Sequence, residues 1–439
     1  MALPCTAISH AEEFSIAAGS EPGSGSDLEF PEVHADWWQR FDDPLMVDLI
    51  SDALAANPDL RSAQAALKSA RAQSAIAGAA LLPEVNGGSS ASRNDDSSRY
   101  GAGVDAAWQL DIFGGNRDSA RAAQEDQQAT NARLEDTQVA LAAEVASNYV
   151  NLRRAQAQSN ILHRNLAAQR ETAELIEARY NVGLDSELEL TQARLSVGQL
   201  QAQVPDQEGA VRQSMHALAV LSGEEPRALY QRLQAVTGVP YVAAPLAIDT
   251  RNISADLVRR RPDLRASEHA VTAASYRRDA AEAARYPSFR LGGGLDFSSL
   301  DAADLFDTAN LARSLLGSVS VPLFNAGKLR EQVTVRDAQY EQALNTYQKT
   351  LLAALADVAD AYVALDSSER RIPQLAENLN LARNSQDLAF VRYQTGAVSF
   401  QTVLDAQRQV LSAEESLLRA RAENSLAMIS LYRALGGSW

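Results

Sequence analysis

Cysteine occurs once in these 439 residues, at Cys5, so no disulfide can form within the chain. Aromatic residues make up only 6% of the sequence, too few for a compact aromatic core, while Ala, Leu, Gln, Arg and Glu abound. That balance points to long, closely packed helices. No apolar run reaches the roughly 18 residues of a membrane-spanning helix, so any passage through a membrane would need β-strands. Basic excess is also missing. A net charge of −16 argues against nucleic acid as partner, because a phosphate binder needs a basic stripe to release counterions. An acidic surface or lumen should favour cations over anions.

Signals of catalysis are equally sparse. His10, His34, His163, His216 and His269 are scattered, and none pairs with another His or a Cys at metal-ligand spacing, so they read as structural or solvated. Gly101-Ala102-Gly103-Val104-Asp105-Ala106 partly matches a dinucleotide fingerprint. It leads into Trp108 and Gln109 instead of a helix, which rules out the phosphate cradle. No Gly-x-x-x-x-Gly-Lys-Ser/Thr stretch occurs. The reading is a chain that is not an enzyme, with no cofactor and no metal, whose energy must come from a partner. An enzyme acting on envelope polymers lacks a convergent polar constellation.

What is present starts with a tether. Ala2-Leu3-Pro4 before Cys5 resembles the end of a bacterial lipoprotein signal, with proline where a small residue is usual and with its charged and apolar parts missing. Cys5 is therefore expected to carry lipid, against the alternative of an incidental thiol. Residues 1–36 include the Gly/Ser-rich run Gly19 to Ser26, which cannot bury enough apolar surface to fold alone. Trp37-Trp38-Gln39-Arg40-Phe41 opens the first anchored element, followed by a short helix to about Ala56.

From there the chain repeats itself. Pro58-Asp59-Leu60-Arg61 returns as Pro262-Asp263-Leu264-Arg265, and Leu82-Pro83 as Tyr286-Pro287, both 204 positions later. Val145-Ala146-Ser147-Asn148-Tyr149-Val150 matches Val358-Ala359-Asp360-Ala361-Tyr362-Val363, and Arg179-Tyr180-Asn181-Val182-Gly183 matches Arg392-Tyr393-Gln394-Thr395-Gly396, both at an offset of 213. The chain is two copies of one unit. Repeat 1 spans 59–222 and repeat 2 spans 263–435, with segments 37–58 and 223–262 beside them and a tail at 436–439. Each repeat predicts a helix (59–80, 263–285), a region broken by Pro, Gly and Ser (83–114, 287–327), a very long helix (115–180, 328–394) and another helix (185–222, 399–435). Apolar residues at Leu134, Leu141, Val145, Tyr149, Leu152, Leu162, Leu166, Ala173, Ile176 and Tyr180 give the long helix a narrow, coiled-coil-like stripe.

Lengths carry their own argument. The two shorter helices of a repeat sum to about 60 residues, near the length of the long one, which spans roughly 100 Å. Stacked end to end beside it, they make a two-rod sheet of even height. The broken regions are the candidate membrane strands: Tyr100 to Leu110 and Tyr286 to Phe297 alternate loosely over about 10 residues, whereas Gly87 to Arg93 is a run of small polar residues. Two hairpins make four strands per chain. Four cannot close a barrel, so oligomerisation is required, and three copies would supply 12.

These features resemble the outer-membrane factors of tripartite efflux and type I secretion systems, specifically the lipoprotein branch of multidrug efflux. Carrying the resemblance are Trp38 to Leu45, the run Arg259 to Arg265, Pro322-Leu323-Phe324-Asn325-Ala326-Gly327, Arg392 to Gly396, Leu404-Asp405-Ala406-Gln407-Arg408 and Tyr432 to Trp439. The resemblance implies a homotrimer in the outer membrane of a Gram-negative bacterium, in contact with its lipid. It has a 12-stranded barrel, a 12-helix periplasmic tube and an equatorial belt at 37–58 and 223–262, and it works with a periplasmic adaptor and an inner-membrane pump. A coiled-coil envelope scaffold or adaptor without a pore would explain the helices but not the Gly-rich hairpin regions.

Two sets of residues stand out. Gly183 and Gly396 each end a long helix, where a positive φ closes the last turn, and Ser186-Glu187-Leu188-Glu189 has the form of a capping box. The resemblance implies that Val182-Gly183-Leu184 and Thr395-Gly396-Ala397 dock the adaptor. It also implies a gate at Gln401, Thr402 and Asp405. In a trimer three Asp405 carboxylates would ring the axis and bind cations; alternatively Asp405 pairs with Arg408 at i,i+3 on the helix surface.

Overall fold

The computed structural model describes residues 37–95, 97–234, 238–239 and 259–437, which lie in one compact unit, Val33–Trp439. Cys5 and the tether, most of the 235–258 stretch, and the last two residues fall outside the described set.

Trp37–Phe41 forms a short 3-10 turn before α1 (Pro44–Ala56) and α2 (Pro58–Ala79). The break between these helices follows from their caps. Asp43 accepts backbone hydrogen bonds from Leu45 and Met46 at 3.1 and 3.2 Å, and Asn57 accepts from Asp59 and Leu60 at 2.8 and 3.1 Å. Pro44 and Pro58 fill first-turn positions where the missing N–H costs nothing.

The first repeat continues as β1 (Glu84–Asn94), β2 (Ser97–Leu110), α3 (Gly115–Asn181), α4 (Glu187–Ser222) and the short α5 (Pro226–Leu233). The second runs α6 (Pro262–Ala283), β3 (Ser288–Ser299), β4 (Leu311–Ser320), α7 (Lys328–Gln394) and α8 (Phe400–Ala434). Each 67-residue helix is entered through a left-handed glycine, Gly114 at φ 85° and Gly327 at φ 84°. The seam of α3 buries Leu141, Val145, Tyr149, Leu152, Leu162, Leu166 and Ile176, leaves Leu134 and Ala173 half-buried, and stops short of Tyr180, which is exposed at the tip. No helix among the described residues is long and apolar enough to cross a membrane.

The strands form one antiparallel sheet in the order β1-β2-β3-β4. Gly87 to Arg93, the run of small polar residues, is the body of β1 and pairs with Ser98 to Val104. At the sheet end, α2 packs on α3, α3 on α6, and α6 on α7; at the far end, α4 packs on α3, α3 on α8, and α8 on α7. A ladder of polar contacts marks the seam between repeats, a hydrogen bond between Glu125 and His269 at 2.7 Å and ion pairs of Glu135 with Arg265 at 2.7 Å and of Asp126 with Arg277.

The main core sits at the waist, where α1, α5 and the ends of α4 and α8 gather on α3. Trp37 stacks on Tyr432 at 5.0 Å, and the Tyr149 hydroxyl donates to Asp43 at 2.7 Å. Burial, then that hydrogen bond, push the Tyr149 phenol up to about 12. The Arg-Arg-Pro-Asp run belongs here too. Arg261 binds Asp263 at 2.8 Å and Asp357 at 3.1 Å and donates to the Ala434 carbonyl, clamping the head of α6 to α7 and to the end of α8.

Candidate functional site at the tips and the sheet

Tight helix endings build the first tip. Gly183 adopts φ 74°, its N–H bonds the Tyr180 carbonyl and that of Leu184 bonds Arg179. Ser186 then restarts the chain: its hydroxyl and Glu189 cap each other's backbone N–H groups, a complete capping box. At the second tip Gly396 has φ 73°, with its N–H on Tyr393 and that of Ala397 on Arg392. Val182, Gly183, Leu184, Thr395, Gly396 and Ala397 are all exposed, Val182 and Leu184 at 70% and 66%. Beneath them Ile176, Leu190, Tyr393, Phe400, Val403 and Leu404 make an apolar cluster that joins all four helix ends.

One buried charge ties the tips together, and sequence reasoning missed it. The Asp185 side chain is only 4% exposed; its Oδ2 accepts from the Tyr393 hydroxyl at 2.6 Å and from Arg179 Nε at 2.9 Å. The Arg179 guanidinium also lies over the Tyr393 ring, 5.2 Å from its centroid. Burial, reinforced by Asp185, pushes the Tyr393 phenol up, and the Asp185 hydrogen bond raises Arg179. Arg179 and Asp185 come from repeat 1 and Tyr393 from repeat 2, so the contact holds the repeats together at the tip. The recurring Arg-Tyr pair before each tip glycine was the available signal.

The gate candidates share one surface. Gln401, Thr402, Asp405 and Arg408 are exposed on α8, while Val403, Leu404 and Ala406 point into the tip cluster. Asp405 accepts from Gln401 Nε2 at 2.9 Å and pairs with Arg408 at 3.3 Å, so the surface ion pair is formed in the single chain. His163, His216 and His269 contact Ser159, Tyr230 and Glu125 respectively, and His10 and His34 lie outside the described residues.

At the other end the sheet has two distinct faces. Residues directly opposite in an antiparallel pair share a face, so the register sorts every strand position. One face carries Val85, Tyr100, Val104, Trp108, Leu110, Phe289, Leu291, Leu295, Phe297, Leu311, Leu315 and Val319. The opposite face carries Glu84, Asn86, Arg99, Asp105, Gln109, Arg290, Asp296 and serines, with Leu316 its one large apolar side chain. There the Asp296 carboxylate lies over Gly103 and leaves no room for a Cβ on that glycine. Aromatics collect at both ends of the apolar face: Tyr100, Phe297 and Phe306 toward the hairpin loops, Trp108, Phe289 and Phe113 toward the helices. An apolar band with aromatic girdles, backed by a polar face, is the pattern of an outer-membrane strand set.

The model of the outer membrane efflux protein family matches residues 49–224 and 254–437. The chain belongs to that family. It is similar to the solvent efflux pump outer membrane protein SrpC of Pseudomonas putida, 33% identical over 412 residues that cover 91% of this chain and 86% of that protein. The cation efflux system protein CusC of Escherichia coli O6:H1 is 28% identical, covering 92% of this chain and 89% of that protein. Among solved structures, the outer-membrane channel OprN superposes with a TM-score of 0.84 at 30% identity, covering 92% of this chain and 93% of that one. CusC superposes at 0.83 and 27% identity, covering 94% and 99%. The chain is an outer-membrane efflux duct whose helices lie in the periplasm, the outer-membrane part of an efflux system.

Proposed function

We propose that three copies of the chain close into one passive exit duct, a 12-stranded barrel continued by a 12-helix tube. The observation that carries this is a coincidence of edges. At every level the open edges belong to the same elements: β1, α2 and α4 on one side, β4 and α7 on the other. One rotation therefore satisfies sheet and helices together. Exposed apolar groups agree. Before α3, Phe113 stacks on Tyr286 at 4.9 Å, whereas before α7 Leu323 and Phe324 are 92% and 90% exposed. Their counterpart surface, Leu82 and Val85 at the head of β1, is 67% and 64% exposed. A neighbouring copy would cover both.

In this reading membrane lipid surrounds the apolar face, and the polar face lines the pore. Val182-Gly183-Leu184 and Thr395-Gly396-Ala397 dock the periplasmic adaptor, and Gln401, Thr402 and Asp405 line the constriction that it opens. The inner-membrane pump supplies the energy and selects the small molecules exported. Cys5 carries a lipid anchor, which acyl mass on the N-terminal peptide would reveal and a free thiol would refute.

Closure is testable by a disulfide. Repeating the β2 to β3 register, in which Ala106 faces Gly293, places Val319 opposite Ser89 of the next copy. In a Cys5→Ser background, Ser89→Cys with Val319→Cys should give a covalent trimer on a denaturing gel after oxidation. Monomer alone, from membranes that contain the folded protein, would overturn the arrangement.

A further inference from the structure

The apolar face of the sheet carries only two charged residues in its strands, and both are arginines. Every acid in the strands, Glu84, Asp105 and Asp296, lies on the polar face, as do Arg99 and Arg290. The exceptions are Arg93 on β1, opposite Ser98, and Arg313 on β4, opposite Leu295. Both are exposed, both sit on the outermost strands of the sheet, and both lie within three residues of the hairpin-loop end of their strand. Arginine on a lipid-facing strand is costly at mid-membrane and is tolerated near the interface. At these positions the long side chains reach the headgroup layer.

Their places within the repeat bring them together. Arg93 stands where β3 has Phe297, and Arg313 where β2 has Tyr100, by the offsets of 204 and 213. In the central pair, Phe297 faces Ala102, and Tyr100 is two residues further along β2 toward the loop. Repeating that register between copies sets Arg93 opposite Leu315 of its neighbour, diagonal to Arg313 on the same face. Diagonal neighbours lie about 7–8 Å apart. The same register sets Asp95, in the turn after β1, level with Arg313; one carboxylate beside two guanidiniums leaves a net positive charge, and a phosphate accepts from both arginines. The helices lie in the periplasm, so the hairpin loops and both arginines lie at the outer leaflet.

We propose that each junction between protomers binds a phosphorylated glycolipid of the outer leaflet, lipopolysaccharide, its phosphate held between Arg313 of one copy and Arg93 of the next. Three sites would ring the barrel and staple its three seams. The proposal rests on trimeric closure, and the test separates the two.

The parent, Arg93→Gln, Arg313→Gln and the double variant are purified as full-length protein. Oligomeric state and bound lipid are read by native mass spectrometry after incubation with lipid A, with dephosphorylated lipid A, or with lipid A plus inorganic phosphate. Parent trimers should hold up to three lipid A molecules and far less of the dephosphorylated form, and inorganic phosphate should not compete. Each basic side chain near an anionic surface contributes about a factor of five, so the double variant should retain lipid A roughly thirty-fold more weakly. Trimers with equal lipid A retention in parent and double variant would overturn the site and leave closure standing. Displacement by inorganic phosphate would overturn the lipid as ligand, and a parent that is not a trimer would overturn site and closure together.

Discussion

At the first tip the chain reads Arg179-Tyr180-Asn181-Val182-Gly183-Leu184-Asp185-Ser186; at the second, Arg392-Tyr393-Gln394-Thr395-Gly396-Ala397-Val398-Ser399. Both glycines take the same left-handed conformation, and both serines begin a helix. The polar chemistry differs. Asp185 has Val398 as its counterpart, Tyr180 is 39% exposed while Tyr393 is 4% exposed, and Ser186 has a capping box that Ser399 lacks because Thr402 stands where Glu189 would be needed. Duplication supplied two equal turns, and divergence turned them into complementary halves. The first tip contributes a buried carboxylate and the second the phenol that answers it. The uncapped start of α8 is also the stretch that carries the candidate gate.

The largest effect should come from making the first tip resemble the second. Asp185→Val leaves the Tyr393 hydroxyl without its acceptor and the Arg179 guanidinium without its carboxylate, a loss of about 2–3 kcal/mol by the usual cost of breaking a buried charged hydrogen bond. Basal conductance in a planar bilayer should rise, because the repeats are no longer tied at the tip. Tyr393→Phe keeps the ring against Phe400 and removes one hydrogen bond, so it should open the tip less. It also gives a pH test. The Tyr393 phenol is raised in the folded protein by burial and by Asp185, so its contribution is complete below its unfolded pKa near 10 and is lost as pH climbs above that value. Parent conductance should increase in that alkaline window. An identical alkaline increase in Tyr393→Phe would remove Tyr393 as the cause.

Next comes the pair of glycines. A Cβ added at Gly183 or Gly396 meets nothing within 4 Å, so the cost of valine at either is mainly backbone strain, about 1 kcal/mol or more at positive φ. Equal strain makes the two substitutions a fair comparison of docking. Gly183→Val, between exposed Val182 and Leu184, should abolish efflux in folded trimers. Gly396→Val, between Thr395 and Ala397, should reduce it less. Efflux measured by drug susceptibility, together with adaptor crosslinking, checks this. If Gly183→Val leaves both normal, the docking assignment fails.

How much of this was legible in the sequence depends on whether the signal was local. The long helices, anticipated at 115–180 and 328–394, run Gly115–Asn181 and Lys328–Gln394, because a glycine enters and leaves each and the apolar stripe persists between. The body of β1 was nearly illegible. Small polar residues dominate Gly87 to Arg93 on both faces, and its strand character comes from pairing with Ser98 to Val104. The stripe was read one step too far at Tyr180, because the seam passes at the tip from repeat 1 to Tyr393 of repeat 2. Asp185 was marked only indirectly, by the Arg-Tyr pair that recurs before each tip glycine. Its partner Tyr393 is 208 residues away, and only the folded arrangement of four helix ends buries the pair.

The smallest structural effect, and the sharpest remaining test of the comparison, belongs to Asp405. Its partners in the single chain are exposed ones, Gln401 and Arg408 on its own helix. Such pairs contribute at most about 1 kcal/mol, and salt screens them, so Asp405→Ala should leave trimer assembly and thermal stability nearly unchanged. In a closed ring the same carboxylate would lie near two copies of itself, a repulsion relieved by bound cations. The substitution should therefore raise basal conductance and weaken block by divalent and trivalent cations. Arg408→Gln separates the two roles: it removes the ion pair but leaves the three carboxylates, so cation block should persist or strengthen. Two outcomes would assign Asp405 to the helix surface: unchanged cation block in Asp405→Ala, or the same change in both variants. In either case the closed state would depend on the Asp185 contact between the tips.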